Sequence, residues 1–197
     1  MIDVFIPLNG QSIDTLNWFK IMVPVALAIA GFLFTYFHNK RLISRKAELD
    51  RVNRQLSDLY GPLYALSIVG DESWKEFRKR YRVGTGAFFN PKYPIEEEDI
   101  EAWKHWMKTV FMPKNLEMYE VVTNHTDLIV EDEMPKVIED LLTHIAVYNA
   151  VLENWESGNE KYMTSTNNFP KISEYASDHS KALKKEQAIL LGQTMSD

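Results

Sequence analysis

The side chains best spaced for chemistry are two acid–histidine pairs. Glu101 precedes His105 by four residues, and Asp140 precedes His144 by four. Residues four apart share one face of a helix, so each pair can offer a carboxylate and an imidazole to a metal ion. Di-metal sites in helical bundles combine Glu-x-x-His motifs with further glutamates, and that motif is missing here. Surface pairs or satisfied core histidines also explain the spacing, so we expect no metal site and no cofactor.

No strong catalytic motif accompanies these pairs. The sequence has no P-loop, no GxGxxG fingerprint, no HExxH and no GxSxG. It also has no Cys, which excludes disulfides, thiolate metal sites and Cys nucleophiles. We therefore expect no catalytic residue and no enzymatic activity. A metal-dependent bundle enzyme that uses His105 or His144 is the minor alternative.

The charged residues divide the chain into two parts. From His38 to Gln55 there are six basic residues and two acidic ones, whereas after Gln55 there are 15 Lys or Arg and 24 Asp or Glu. Phosphate contacts need clustered cations, so an acidic body predicts no nucleic-acid partner. One locally basic run predicts a solvated face paired with acids, or a contact with anionic lipid or an acidic partner. Its members are Lys75, Arg78, Lys79, Arg80 and Arg82.

A run of 17 uncharged residues, IMVPVALAIAGFLFTYF, follows Lys20. At about 1.5 Å per residue it spans ~25 Å, and the apolar residues before it bring the length near the ~30 Å hydrocarbon core. We predict a transmembrane helix over residues 16–38, with Pro24 in the first turn of the uncharged run. A buried core helix and a cleaved signal peptide are the alternatives. The predicted anchor residues are Trp18, Lys20, Pro24, Ala26, Ala30, Gly31, Thr35 and Tyr36.

Small residues within this segment lie one helical turn apart. Ala26 and Ala30 form one such pair, and Gly31 and Thr35 form another. Small residues at this spacing allow close helix packing in a bilayer. They support an alternative function, an oligomerising membrane effector that perturbs or gates the inner membrane.

The flanks of the segment predict its orientation. Residues 1–17 contain two Asp and no Lys or Arg, whereas Lys40, Arg41, Arg45 and Lys46 follow the segment. Short loops rich in Lys and Arg remain on the cytoplasmic side. We therefore predict an extracytoplasmic segment over residues 1–15 and a cytoplasmic body, anchored in the inner (plasma) membrane.

An apolar seam with alternating steps of three and four follows the basic flank. It consists of Leu49, Val52, Leu56, Leu59 and Leu63. This pattern predicts an amphipathic stalk helix over residues 39–70. Its seam packs within the same chain or forms a parallel coiled coil between protomers. Gly61 and Pro62 predict a kink or break in this helix.

The remaining residues, 71–197, read as further helices separated by Gly and Pro. Pro113 and Pro135 each predict a new helix, and Trp103 and Trp106 share one apolar face that forms core or a partner groove. The predicted fold is all-α, with an N-terminal transmembrane helix followed by a cytosolic bundle of about five to six helices.

Several segments carry a family resemblance. Residues 53–63 (NRQLSDLYGPL), 110–115 (VFMPKN), 134–137 (MPKV) and 140–155 resemble a family of uncharacterised bacterial membrane-anchored helical proteins. The similarity covers about residues 40–192. It implies an architecture and no catalytic residue. Some small single-pass helical proteins of this general type are accessory subunits or effectors of bacterial phage-defence systems.

Together these features predict a membrane-anchored protein-interaction module. We expect it to be an accessory or regulatory subunit of a membrane-associated complex. The expected partners are the lipid bilayer and either a partner protein or further copies of the chain, as a homo-oligomer.

Overall fold

The computed structural model describes residues 12–159 and 169–193, in which all regular structure is helical. This described part contains four continuous helices and no strand. They are α1 (residues 12–80), α2 (residues 97–124), α3 (Lys136–Glu156) and α4 (Ile172–Leu191), with a 3-10 turn at Thr126–Leu128. The all-α prediction is confirmed, but the predicted count of five to six bundle helices is wrong.

Two of these helices contain a π-helical turn. Helix α1 consists of Ser12–Arg54, the π turn Gln55–Tyr60 and Gly61–Arg80. Helix α2 consists of Glu97–Trp106, the π turn Met107–Phe111 and Met112–Asn124.

The π turns explain why the predicted helix count is too high. The N–H of Gly61 bonds the carbonyl of Leu56, five residues earlier, and Pro62 follows directly. Helix α2 repeats the arrangement, because the N–H of Met112 closes its π turn immediately before Pro113. Proline has no N–H for the i to i−4 hydrogen bond of an α-helix. In a π turn this bond pattern is already replaced by bonds to the carbonyl five residues earlier, so the chain stays helical. Neither proline ends its helix.

The chain divides between Glu48 and Leu49 into two compact units. In the first unit, α1 is long and apolar enough to cross a membrane. It begins at Ser12, so Pro24 lies in the helix interior and not, as we predicted, in the first turn. Of the predicted extracytoplasmic segment, residues 1–11 lie outside the described part.

The second unit is a four-helix arrangement. Its part of α1 packs against α2 and α4, and α3 packs against the same two helices. Helices α1 and α4 run antiparallel, because Gln187 bonds Asn53 (2.7 Å) whereas Tyr175 meets Tyr60. The core lies between the four helices and includes the fully buried Leu63.

Aromatic side chains fill one end of this core. Phe77 is fully buried, and its ring lies 5.0 Å from that of Tyr81, 5.1 Å from Phe88 and 5.4 Å from Trp106. Trp103 is buried in the same cluster. Of the two sequence alternatives for the tryptophans, the structure favours core packing.

Candidate membrane-contacting helix and polar cluster

The apolar stretch of α1 carries exposed side chains. Every described side chain from residue 18 to residue 37 is exposed. Leu27 and Phe32 are 67% and 70% exposed, although they lie ~140° apart around the helix axis. A helix that is apolar on all sides is typical of a membrane span. This surface is the first candidate functional site.

The predicted anchor residues all lie on this exposed helix. The Thr35 hydroxyl donates a hydrogen bond to the Gly31 carbonyl (2.8 Å), so its polar group is satisfied within the helix. An added Cβ at Gly31 would meet no atom within 4 Å. The structure places the following anchor residues at exposed positions: Trp18, Lys20, Pro24, Ala26, Ala30, Gly31, Thr35 and Tyr36.

The predicted interface cations follow on the same helix. Lys40, Arg41, Arg45 and Lys46 are exposed, and so are Leu42 and Ile43 between them. No acidic residue occurs between Tyr36 and Ala47. The helix therefore changes from apolar to cationic within a few residues.

The predicted stalk seam faces the core of the second unit. Val52, Leu59 and Leu63 are buried, and Leu49 and Leu56 are partly buried. Because helices of the same chain cover them, the structure favours the intramolecular bundle over the coiled coil between protomers. Gln55 lies on this face too.

Gln55 makes a buried polar contact that the seam pattern did not indicate. Its side-chain amide donates to the carbonyl of Leu128 (3.0 Å). This bond ties the first π turn to the 3-10 turn after α2.

A polar cluster, defined by Tyr60, Glu131, Tyr175 and His179, joins α1 to α4. The Tyr60 and Tyr175 hydroxyls lie 3.4 Å apart, and the backbone N–H of Val130 donates to the Tyr60 hydroxyl (3.1 Å). Tyr175 donates to one oxygen of Glu131 (3.1 Å), and His179 Nε2 lies 3.1 Å from the other. The cluster is the second candidate site.

Burial determines the state of the two hydroxyls. It raises the pKa of Tyr60 and, together with the hydrogen bond between the two hydroxyls, also raises the pKa of Tyr175. Both remain protonated donors at neutral pH. The arrangement links a buried hydroxyl through Tyr175 and Glu131 to the partly exposed ring of His179. Its clearest role is to fasten the segment before α3 to α1 and α4.

The two members of the second acid–histidine pair lie in different environments. Asp140 pairs with Lys136 (2.8 Å), whereas the buried His144 packs its ring against Tyr148 and Phe169. Burial lowers the pKa of His144 to about 4. Among the described residues, no three His, Cys, Asp or Glu side chains gather at one point.

The basic run at the end of α1 divides between two roles. Lys75 and Lys79 are exposed and pair with acids, as one of the predicted alternatives has it. Two of its arginines have a role that we did not predict. Arg78 donates to the carbonyls of Arg82 (3.0 Å) and Gly86 (2.7 Å). Arg82, whose side chain is 3% exposed, donates to the carbonyls of Tyr93 (3.0 Å) and Pro94 (2.5 Å). These two arginines therefore hold the loop between α1 and α2.

A shallow groove of about 430 Å³ lies between α1 and α2. Its apolar floor includes Pro62, Leu66 and Val121, and Glu117 and Glu120 line its edge. No ion pair within 4 Å involves either glutamate in the described part of the chain. The groove thus combines apolar contact area with two glutamates.

No family model matches this chain, and no curated protein or solved structure is significantly similar to it.

Proposed function

We propose that this chain is a membrane-anchored protein-interaction module, an accessory or regulatory subunit of a membrane-associated complex. The observation that carries the proposal is the apolar stretch of α1, which is exposed on all sides. Transfer of such a surface to lipid removes it from water, and its backbone groups are already bonded within the helix. The bilayer is thus the first partner.

Charged substitutions test the anchor. Arg near the centre of a membrane helix costs about 2.5–3.5 kcal/mol. The full-length double variant Leu27→Arg/Leu33→Arg should therefore be extracted from membranes by alkaline carbonate, whereas the wild type stays in the pellet. Ile189→Arg/Leu191→Arg alters two exposed aliphatic residues of α4 and serves as the matched control. Equal extraction of wild type and anchor variant would refute the anchor.

We also propose that the N-terminus lies outside and the body lies in the cytoplasm of a bacterial cell. The basic flank after the apolar stretch supports this orientation. Because the chain has no Cys, single-cysteine variants report it directly. A membrane-impermeant maleimide should label Ser12→Cys in intact cells and label Ser157→Cys only after lysis. The reverse pattern would overturn the orientation.

For the body, we propose that the groove between α1 and α2 binds a cationic amphipathic segment of a partner protein. Its apolar floor suits the apolar face of such a segment, and Glu117 and Glu120 suit its cationic edge. The whole body has an acidic surplus, so long-range charge also favours a basic partner.

Site-specific crosslinking in native membranes tests the groove. A photo-crosslinking residue at Ala65, which lines the groove, should yield a specific product, whereas one at the exposed Ala146 of α3 should not. Charge reversal by Glu117→Lys/Glu120→Lys should abolish the product. Mass spectrometry should identify a cationic amphipathic peptide in it. A product that survives charge reversal, or that contains a second copy of this chain, would refute this partner class.

A further inference from the structure

The cationic flank of α1 is arranged as a collar around the helix. Successive helical residues are rotated by ~100°, so Lys40, Arg41, Arg45 and Lys46 lie at roughly 0°, 100°, 140° and 240°. They cover about two-thirds of the circumference and about 9 Å along the axis. We call these four residues the basic collar.

The angular spread of these cations distinguishes a helix that lies flat on a bilayer from one that crosses it. A helix that lies flat in the interface needs its cations on one face and its apolar residues on the other. The basic collar has cations on several sides, and the preceding stretch is apolar on several sides. This pattern suits a helix that passes through the headgroup layer, which is roughly 5–8 Å thick on each side.

Three of the four collar cations are also available to an external anion. Within the described residues, no ion pair within 4 Å involves Lys40, Arg41 or Lys46. By contrast, Lys75 pairs with Glu72 (2.7 Å) and Lys79 with its neighbour Glu76.

We propose that the basic collar is a binding site for the phosphate groups of anionic phospholipids in the leaflet where α1 emerges. Its continuity with the apolar stretch is the reason to choose lipid over a soluble anion. Arginine can bind phosphate oxygens with two parallel hydrogen bonds, and lysine adds a compact charge. The inference rests on the proposed membrane anchor.

Lipid retention tests the collar in the full-length protein. The protein is reconstituted in nanodiscs of equal parts phosphatidylglycerol and phosphatidylcholine, and native mass spectrometry counts the lipids that remain bound. Each cation should raise the preference for the anionic lipid about fivefold. The double variant Lys40→Gln/Arg41→Gln should lower it by about 5- to 25-fold. Lys75→Gln/Lys79→Gln removes two paired cations and should leave it unchanged.

The outcomes distinguish a failure of the proposed lipid site from a failure of the proposed anchor. Equal retention of the two lipids by the wild type would overturn the collar, and so would an equal loss in both double variants. In those cases the anchor would stand, provided that the protein enters nanodiscs and resists alkaline extraction. Failure to enter nanodiscs would refute the proposed anchor first.

Discussion

Replacement of Gly61 by Ala tests the π turn at its most constrained point. Gly61 has ordinary helical torsions (φ −65°, ψ −55°), so its backbone alone does not require glycine. However, an added Cβ would overlap the carbonyl oxygen of Leu56, the acceptor that closes the π turn. A backbone atom cannot rotate away, so relief of the overlap must disturb the turn.

The expected effect follows from two opposing contributions. Gly→Ala in a helix interior usually stabilises by about 0.5–1 kcal/mol. A steric overlap in a packed region costs about 1–3 kcal/mol. The two contributions give a net destabilisation between about 0 and 2.5 kcal/mol for Gly61→Ala, with a midpoint of about 1.25 kcal/mol. For a unit of this size the midpoint lowers the melting temperature by roughly 2–5 °C.

Gly70 provides a matched control in the same helix, because an added Cβ there would meet no atom within 4 Å. Gly70→Ala should raise the melting temperature by roughly 1–4 °C. The assay is thermal unfolding of the full-length protein in detergent, followed by near-ultraviolet circular dichroism of the aromatic core. If Gly61→Ala melts at or above the wild type, the steric argument is wrong.

Four further predictions concern other sites. Tyr175→Phe removes the donor to Glu131 and should destabilise the protein by about 1 kcal/mol in the same melting assay. Burial holds the pKa of His144 near 4, below its unfolded value, so the wild type should lose stability as pH falls from about 6.5 to 4. His144→Phe should lose about 2 kcal/mol less across that range. Burial also lowers the pKa of Lys114. The unfolded chain therefore binds this proton more tightly than the folded one, so the wild type should gain stability over Lys114→Met as pH rises towards the unfolded pKa of about 10.5. In membranes, Gly31→Leu should give crosslinked products of the same size as the wild type, because the proposed anchor does not need self-association through the helix face that contains Gly31.

Each of these has a contrary outcome. An unchanged melting temperature for Tyr175→Phe would show that the polar cluster does not fasten α4. Parallel pH profiles of wild type and variant would contradict the account of His144 or of Lys114. A smaller crosslinked species in Gly31→Leu would favour the oligomerising effector.

The sequence was most informative where one local property decides the structure. The uncharged run before His38 predicts an exposed apolar helix from composition alone. The spacing of Leu59 and Leu63 predicts a buried helix face, and both are buried. These features depend on residues close together in the chain.

The predicted helix count was too high because two prolines that normally end a helix lie inside continuous helices. Pro62 and Pro113 each signal a helix end, but the residues before them adopt a π turn. Neither π turn has a clear sequence signature of its own. Whether a helix ends at a proline or continues through a π turn depends on the packing of the surrounding helices.

The polar cluster was missed for a different reason. Tyr60, Glu131 and His179 are far apart in sequence, and no local motif links them. Only the antiparallel packing of α1 and α4 brings them together. The structural role of Arg82 was hidden likewise, because a basic run on a helix gives no sign that its last member turns into a loop.

The π turn of α1 also fixes how the chain tolerates changes in length. A π turn holds one residue more than the α-helix it interrupts, so loss of one residue between positions 55 and 60 can restore a regular helix. Because the π turn already accommodates its extra residue within one wide turn, every later residue of α1 would then keep its orientation relative to the residues before it. Leu63 and Phe77, both fully buried, would stay on the core side of the helix. Loss of one residue from a regular turn of α1, such as the one that contains Leu66, would instead rotate every later residue by ~100°. Single-residue deletions should therefore be less damaging in the π turn than in the regular turns that follow it.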